Sequence, residues 1–232
     1  MYYNGTNVPF FMHKILLSLA GAMALSIPVH ANPDGVRYNS LDSLGCLMLR
    51  ECTEDVTQVK TLDDVKNHFE DSTFDVNAEE LTGLFDALGR SGVDVFIADE
   101  TYFPANHRGI YDVKSNSFFL NDYFVWDERH LIGVMRHEGW HVAQDCMAGT
   151  LDNTFTAVIL QDGVVPQFYI DQVARTYPPK PRPWENEAFY AGATPNLTLA
   201  AVNACASETP MWEIYEPTPL TREWLVNEGF IK

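Results

Sequence analysis

Apolar residues recur at helical spacing in three early stretches, Asp42 to Arg50, Asp63 to Phe69 and Ala78 to Leu88, the last with Gly89 close to its end. Thr61-Leu62-Asp63-Asp64 reads as a helix entry, a hydroxyl followed by acidic residues. The period then changes. From Ser91 to Ala98, Val93, Val95 and Ile97 alternate with Asp94 and Phe96, which predicts a strand. Gly109 to Val113 and Ser117 to Leu120 flank the turn-rich Lys114-Ser115-Asn116 and predict a β-hairpin. A long helix follows from about Asp127 to about Ala148, with Asp127 as its cap and Gly149 as its stop. Phe155 to Arg175 reads as helical or broken-helical, interrupted near Gly163 and Pro166. Pro178 to Pro183 reads as a stiff extended segment, and Pro183-Trp184-Glu185 opens a further helix with proline in its first turn. Pro195 to Ala206 predicts another helix, and no linker demands two domains.

The first 31 residues stand apart. Met12-His13-Lys14, an apolar run from Ile15 to Pro28 and then Val29-His30-Ala31 have the layout of a secretory signal, with residues Met1 to Phe11 as an upstream extension. Cleavage near Ala31 leaves 32–232 as a single domain. The rival is a retained membrane anchor, but Ser26-Ile27-Pro28 breaks the run and a spanning helix needs roughly 20 apolar residues. Cys46, Cys52, Cys146 and Cys205 all follow the expected cleavage point, and an even count in an exported chain predicts two disulfides. Three pairings are possible. Cys46 with Cys52 would close a short loop, leaving Cys146 with Cys205 as a long-range staple. A secreted or periplasmic location is expected.

With 232 residues, 46% hydrophobic and 20% charged, the chain can bury one sizeable core. Fifteen Lys and Arg against 32 Asp and Glu give a net charge of −17, and loss of residues 1–31 removes one cation and no acid. Such a field repels phosphate backbones and anionic lipid, so neither nucleic acid nor a membrane surface is an expected partner.

The long helix carries His137-Glu138-Gly139-Trp140-His141, an H-E-x-x-H motif. Positions i and i+4 share a helix face, so both imidazoles can reach one metal ion, expected to be zinc, and Glu138 can serve as general base toward its water. The bland alternative is two histidines on an ordinary helix. The hairpin strand Ser117 to Leu120 could form the edge along which a substrate lies. Zinc usually takes a third protein ligand, and no histidine follows His141. A carboxylate is therefore favoured, since Cys146 and Cys205 are better used as a disulfide.

The best candidates lie in Trp184-Glu185-Asn186-Glu187-Ala188-Phe189-Tyr190-Ala191. Here the chain resembles the glutamate-type zincins, or gluzincins, in which a second helix supplies a glutamate ligand. Glu185-Asn186-Glu187-Ala188 resembles the Glu-x-x-Ala of several minimal zincins, making Glu185 the ligand. Asn186-Glu187-Ala188 resembles the Asn-Glu-Ala of thermolysin-like enzymes, making Glu187 the alternative. Glu185 is preferred, because the alanine three residues on allows close helix packing. The chain departs from both patterns where a polar residue often follows the ligand by four positions, since Phe189 and Ala191 stand there. The resemblance covers roughly Gly109 to Ala193. It implies an α+β zincin-like fold, a small β-sheet over an active-site helix with a second helix carrying the third ligand, and hydrolysis of a peptide or protein substrate. Tyr169, Tyr177 and Tyr190 are candidate oxyanion donors, and Asp145 is a candidate to orient His141. The rival function is a non-catalytic, zinc-stabilised exported binding protein on the same scaffold.

Overall fold

A computed structural model describes residues 40–70, 72–149, 151 and 156–232. The expected signal segment and its extension lie outside the described residues. Ten helices and four strands are described, in a mixed α+β arrangement. The early helices are α1 (Ser40–Met48), α2 (Leu62–His68) and α3 (Ala78–Arg90). Thr61 caps α2 in a reciprocal box: its hydroxyl accepts from the Asp64 N–H at 3.2 Å, and Asp64 accepts from the Thr61 N–H at 2.9 Å. Helix α3 passes Gly89 and closes at Arg90.

Strands β1 (Val56–Val59), β2 (Asp94–Ala98), β3 (Gly109–Asp112) and β4 (Ser117–Asn121) form one sheet in the order β1-β2-β4-β3. β1 and β3 run antiparallel to their neighbours, and β2 is parallel to β4. The edge next to the long helix is thus β3, not Ser117 to Leu120 as expected, because β4 is paired on both sides. The Asn121 N–H donates to the Arg108 carbonyl, which fixes the phase of the ladder. Bonding and non-bonding pairs alternate from there, so the backbone groups of Gly109 and Tyr111 point off the open edge.

The short α4 (Asp122–Val125) leads into α5 (Glu128–Met147), whose cap Asp127 accepts from the Arg129 and His130 N–H groups. Gly149 follows at φ 122°, a conformation L side chains rarely adopt, which ends the helix there. Helix α6 covers only Gln167–Thr176. The apolar residues from 156 to 160 are non-helical, because Ala157 donates to the Gln144 carbonyl and Val158 accepts from Thr218 and Thr221. The prolines after Tyr177 make a turn rather than an extended rod, and α7 (Arg182–Ala193) starts inside that stretch. Helix α8 (Leu197–Cys205) is followed by α9 (Met211–Ile214) and α10 (Pro219–Asn227), neither of which was legible in the sequence.

One core joins the sheet to α2, α3 and α5, with Phe118, Leu120, Leu131 and Met135 fully buried. A second fills the space between α5, α7 and α8 around Trp140, Ala188 and Ala201. Disulfides join Cys46 to Cys52 and Cys146 to Cys205, as fits an oxidising compartment. No helix among the described residues is long and apolar enough to cross a membrane.

Candidate metal centre

Close packing of α7 along α5 brings the chemistry together. A Cβ on Gly192 would sit in ordinary contact with the Gly133 carbonyl at 3.4 Å and His137 Cβ at 3.5 Å, so α7 touches α5 at the level of the motif. On the other side of α5, a Cβ on Gly139 would lie 2.9 Å from Thr198 Cγ2 of α8. The glycine inside the motif therefore serves packing. Buried Arg136, just before the motif, holds Glu80 of α3 through two bonds of 2.8 and 2.5 Å.

His137 and His141 turn the same way, and Glu185 in the first turn of α7 faces both. His137 Nε2 lies 3.5 Å from Glu185 Oε2, and His141 Nε2 lies 3.8 Å from Glu185 Oε1. One ligand atom from each of the three can be chosen so that all lie within 4.8 Å of one another, a group that could hold a metal ion. Donors bound about 2.1 Å from a tetrahedral ion stand roughly 3.4 Å apart, so little movement is needed. Glu185 Oε2 is buried and has no hydrogen-bond partner, an orphaned acceptor that a cation would satisfy.

The electrostatics agree with that arrangement. Burial works against a charged His137 ring, but the Glu185 carboxylate beside it and the Glu138 charge prevail and raise its pKa. Burial likewise pushes the Glu185 carboxyl up, and His137, His141 and the Tyr177 hydroxyl outweigh it, lowering its pKa. Glu138 is buried on the same helix, and its Oε2 accepts from the Tyr111 N–H on the open edge of β3 at 3.1 Å.

Glu187 sits elsewhere. Its Oε2 accepts from Trp140 Nε1, Gln144 Nε2 and the Ile159 N–H, and its Oε1 from the Leu160 N–H. Burial raises its pKa against the pull of these donors. Every neighbour is a donor, so the carboxylate is the form that fits. Glu187 is not in the ligand group, whereas Glu185 is.

Of the three tyrosines, Tyr177 reaches the site. It follows α6, sets its ring against Phe189, and has its hydroxyl pKa raised by burial and by the charges of Glu185 and Glu138, which places the hydroxyl near the carboxylates of the site. Arg182 fixes the turn beneath it by donating to the Tyr177 and Ala174 carbonyls. Tyr169 and Tyr190 instead pack on each other, with ring centroids 5.5 Å apart. Phe189, four residues after Glu185, packs against the His137 ring in a T-shaped pair with centroids 5.2 Å apart.

Asp145 accepts from the Tyr111 hydroxyl at 2.8 Å. The partner of His141 Nδ1 is Gln144 Oε1, also at 2.8 Å. Sequence reasoning missed Gln144, although its place three residues after His141 on the same helical face was a usable signal. Comparison with protein-family models, curated proteins and solved structures finds no match to this chain, so the site stands on its geometry.

Proposed function

We propose that the chain is an exported zinc-dependent peptidase of zincin-like architecture, cleaving peptide or protein substrates. The observation that carries this reading is the convergence of His137, His141 and Glu185 with Glu138 beside them. A bound zinc ion would supply the Lewis acid that polarises a scissile carbonyl and acidifies a water molecule. Glu138 takes the proton from the attacking water and delivers it to the leaving amine, which balances hydrolysis to an acid and an amine. The Tyr111 N–H holds one oxygen of Glu138 in place for that task. Tyr177 is assigned the donor role toward the developing oxyanion, since its hydroxyl already lies beside Glu185. The two disulfides support export.

The test is zinc content and hydrolysis of a mixed peptide library. Wild type should hold one zinc. His137→Ala, His141→Ala and Glu185→Ala should lose it. Glu138→Gln should keep the metal while hydrolysis falls by roughly 10²–10⁴-fold. Zinc-loaded protein that cuts nothing, with or without Glu138, would assign a stabilising metal on a binding protein instead. If none of the three ligand variants loses zinc, the metal reading fails.

A further inference from the structure

We infer that Glu187 and Gln144 are positioning residues that hold His141 as its Nδ1–H tautomer, with the Nε2 lone pair aimed at Glu185 and the cation site. The inference rests on reading His137, His141 and Glu185 as metal ligands, but its structural part does not need the metal. It starts from a directional chain of hydrogen bonds with all members partly or fully buried.

Gln144 is fully buried, and its amide has two faces that cannot be exchanged. On one face, Nε2 donates to Glu187 Oε2 at 2.8 Å and to the Trp184 carbonyl at 3.2 Å. Both partners accept only. Turning the amide over would press its oxygen against a carboxylate and a carbonyl, replacing two hydrogen bonds with two lone-pair contacts in the protein interior. The oxygen must therefore face His141, 2.8 Å from Nδ1, and an acceptor there requires Nδ1 to carry the proton. Nε2 is left with its lone pair, directed at Glu185 Oε1.

Glu187 is the anchor of the chain. Trp140 Nε1 and the Ile159 and Leu160 N–H groups hold its carboxylate, so its direction is set by α5 and the 156–160 segment together. An imidazole locked in one tautomer binds a metal through the other nitrogen without first moving a proton.

The experiment is long-range ¹H–¹⁵N correlation of the His141 ring in metal-free protein at alkaline pH, where the ring ¹⁵N shifts themselves report the neutral form. Zinc affinity by chelator competition is measured in parallel. Wild type should show Nδ1–H; Nε2–H there overturns the inference without any variant. Gln144→Met, which keeps length but offers no acceptor, should populate both tautomers and weaken zinc binding by roughly 10–100-fold. Glu187→Ala should free the amide to turn and move both readouts the same way. A variant that keeps the wild-type tautomer and affinity removes its residue from the chain. Wild-type protein that shows Nδ1–H yet binds no zinc sinks the metal reading and leaves the positioning chain standing.

Discussion

The Tyr111 N–H donates to Glu138 Oε2 at 3.1 Å, and the hydroxyl of the same tyrosine donates to Asp145 Oδ2 at 2.8 Å. Glu138 and Asp145 lie two helical turns apart on one side of α5, so a single residue pins the open edge of the sheet along the helix. Gly109 permits that approach. A Cβ there would stand 2.5 Å from Val134 Cγ1 and 3.1 Å from Glu138 Cγ, and the stiff, buried valine cannot swing away. Gly109→Ala should therefore push β3 off α5, cost about 1–3 kcal/mol in denaturant unfolding, and lower hydrolysis with zinc retained. An unchanged unfolding midpoint would show that the strand is not held this tightly.

The pair between Arg136 and Glu80 is buried on both sides, and Glu80 also accepts from the Asn196 N–H at 2.8 Å. Removing one partner strands a charge away from water. Glu80→Ala should cost about 3–5 kcal/mol, whereas the double change Glu80→Leu with Arg136→Met should cost less than the sum of the single changes. A double-mutant cycle in denaturant measures the difference. Additive losses would mean that water reaches the guanidinium once its partner is gone.

The same helix explains how much of this could be read from the chain. Asp127, the His137–His141 spacing and Gly149 each act locally, so α5 and its motif were legible. Two glutamates two residues apart point roughly 160° away from each other around a helix, so only one can face the histidines. The rotation of α7 that selects Glu185 is set by Ala188 and Gly192 packing on α5, a tertiary fact. Strand β1 is four residues long with its middle exposed, and only its pairing with β2 defines it. The 156–160 segment reads as helical by apolarity, but its backbone groups are taken by Gln144, Glu187, Thr218 and Thr221.

Acidity should act on the site with two opposite signs. His137 has a raised pKa, so its pairing stabilises metal-free protein at low pH and is lost as pH rises through that raised value. Glu185 has a lowered pKa, so its contribution is present above the ordinary carboxylate value and lost as pH falls through the lowered one. Metal-free protein thus gains most from the pair in the mildly acidic window between them. Zinc must displace the histidine protons, so its affinity should rise with pH over the range where the pair's own contribution fades. The increase in Tm on adding zinc should accordingly grow between about pH 5 and pH 8. A zinc-induced shift that is flat with pH would mean that the imidazoles are not ligands.

The two disulfides should differ in what they hold. Cys46 and Cys52 are 6 residues apart, while Cys146 and Cys205 are 59 apart and tie the last turn of α5 to the end of α8. In the chain-entropy picture, opening the short loop costs about 2 kcal/mol and opening the long one about 4 kcal/mol. The ligand geometry depends on α5 and α7, whereas α8 meets α5 at Gly139 and through the Thr198 hydroxyl, which donates to the Arg136 carbonyl. Replacing Cys146 and Cys205 by serine should therefore lower the unfolding free energy by about twice as much as replacing Cys46 and Cys52. Zinc affinity of the folded protein should change little in either case. If the long-range pair instead governs zinc affinity, α8 is setting the orientation of the motif as well as the stability of the helix that carries it.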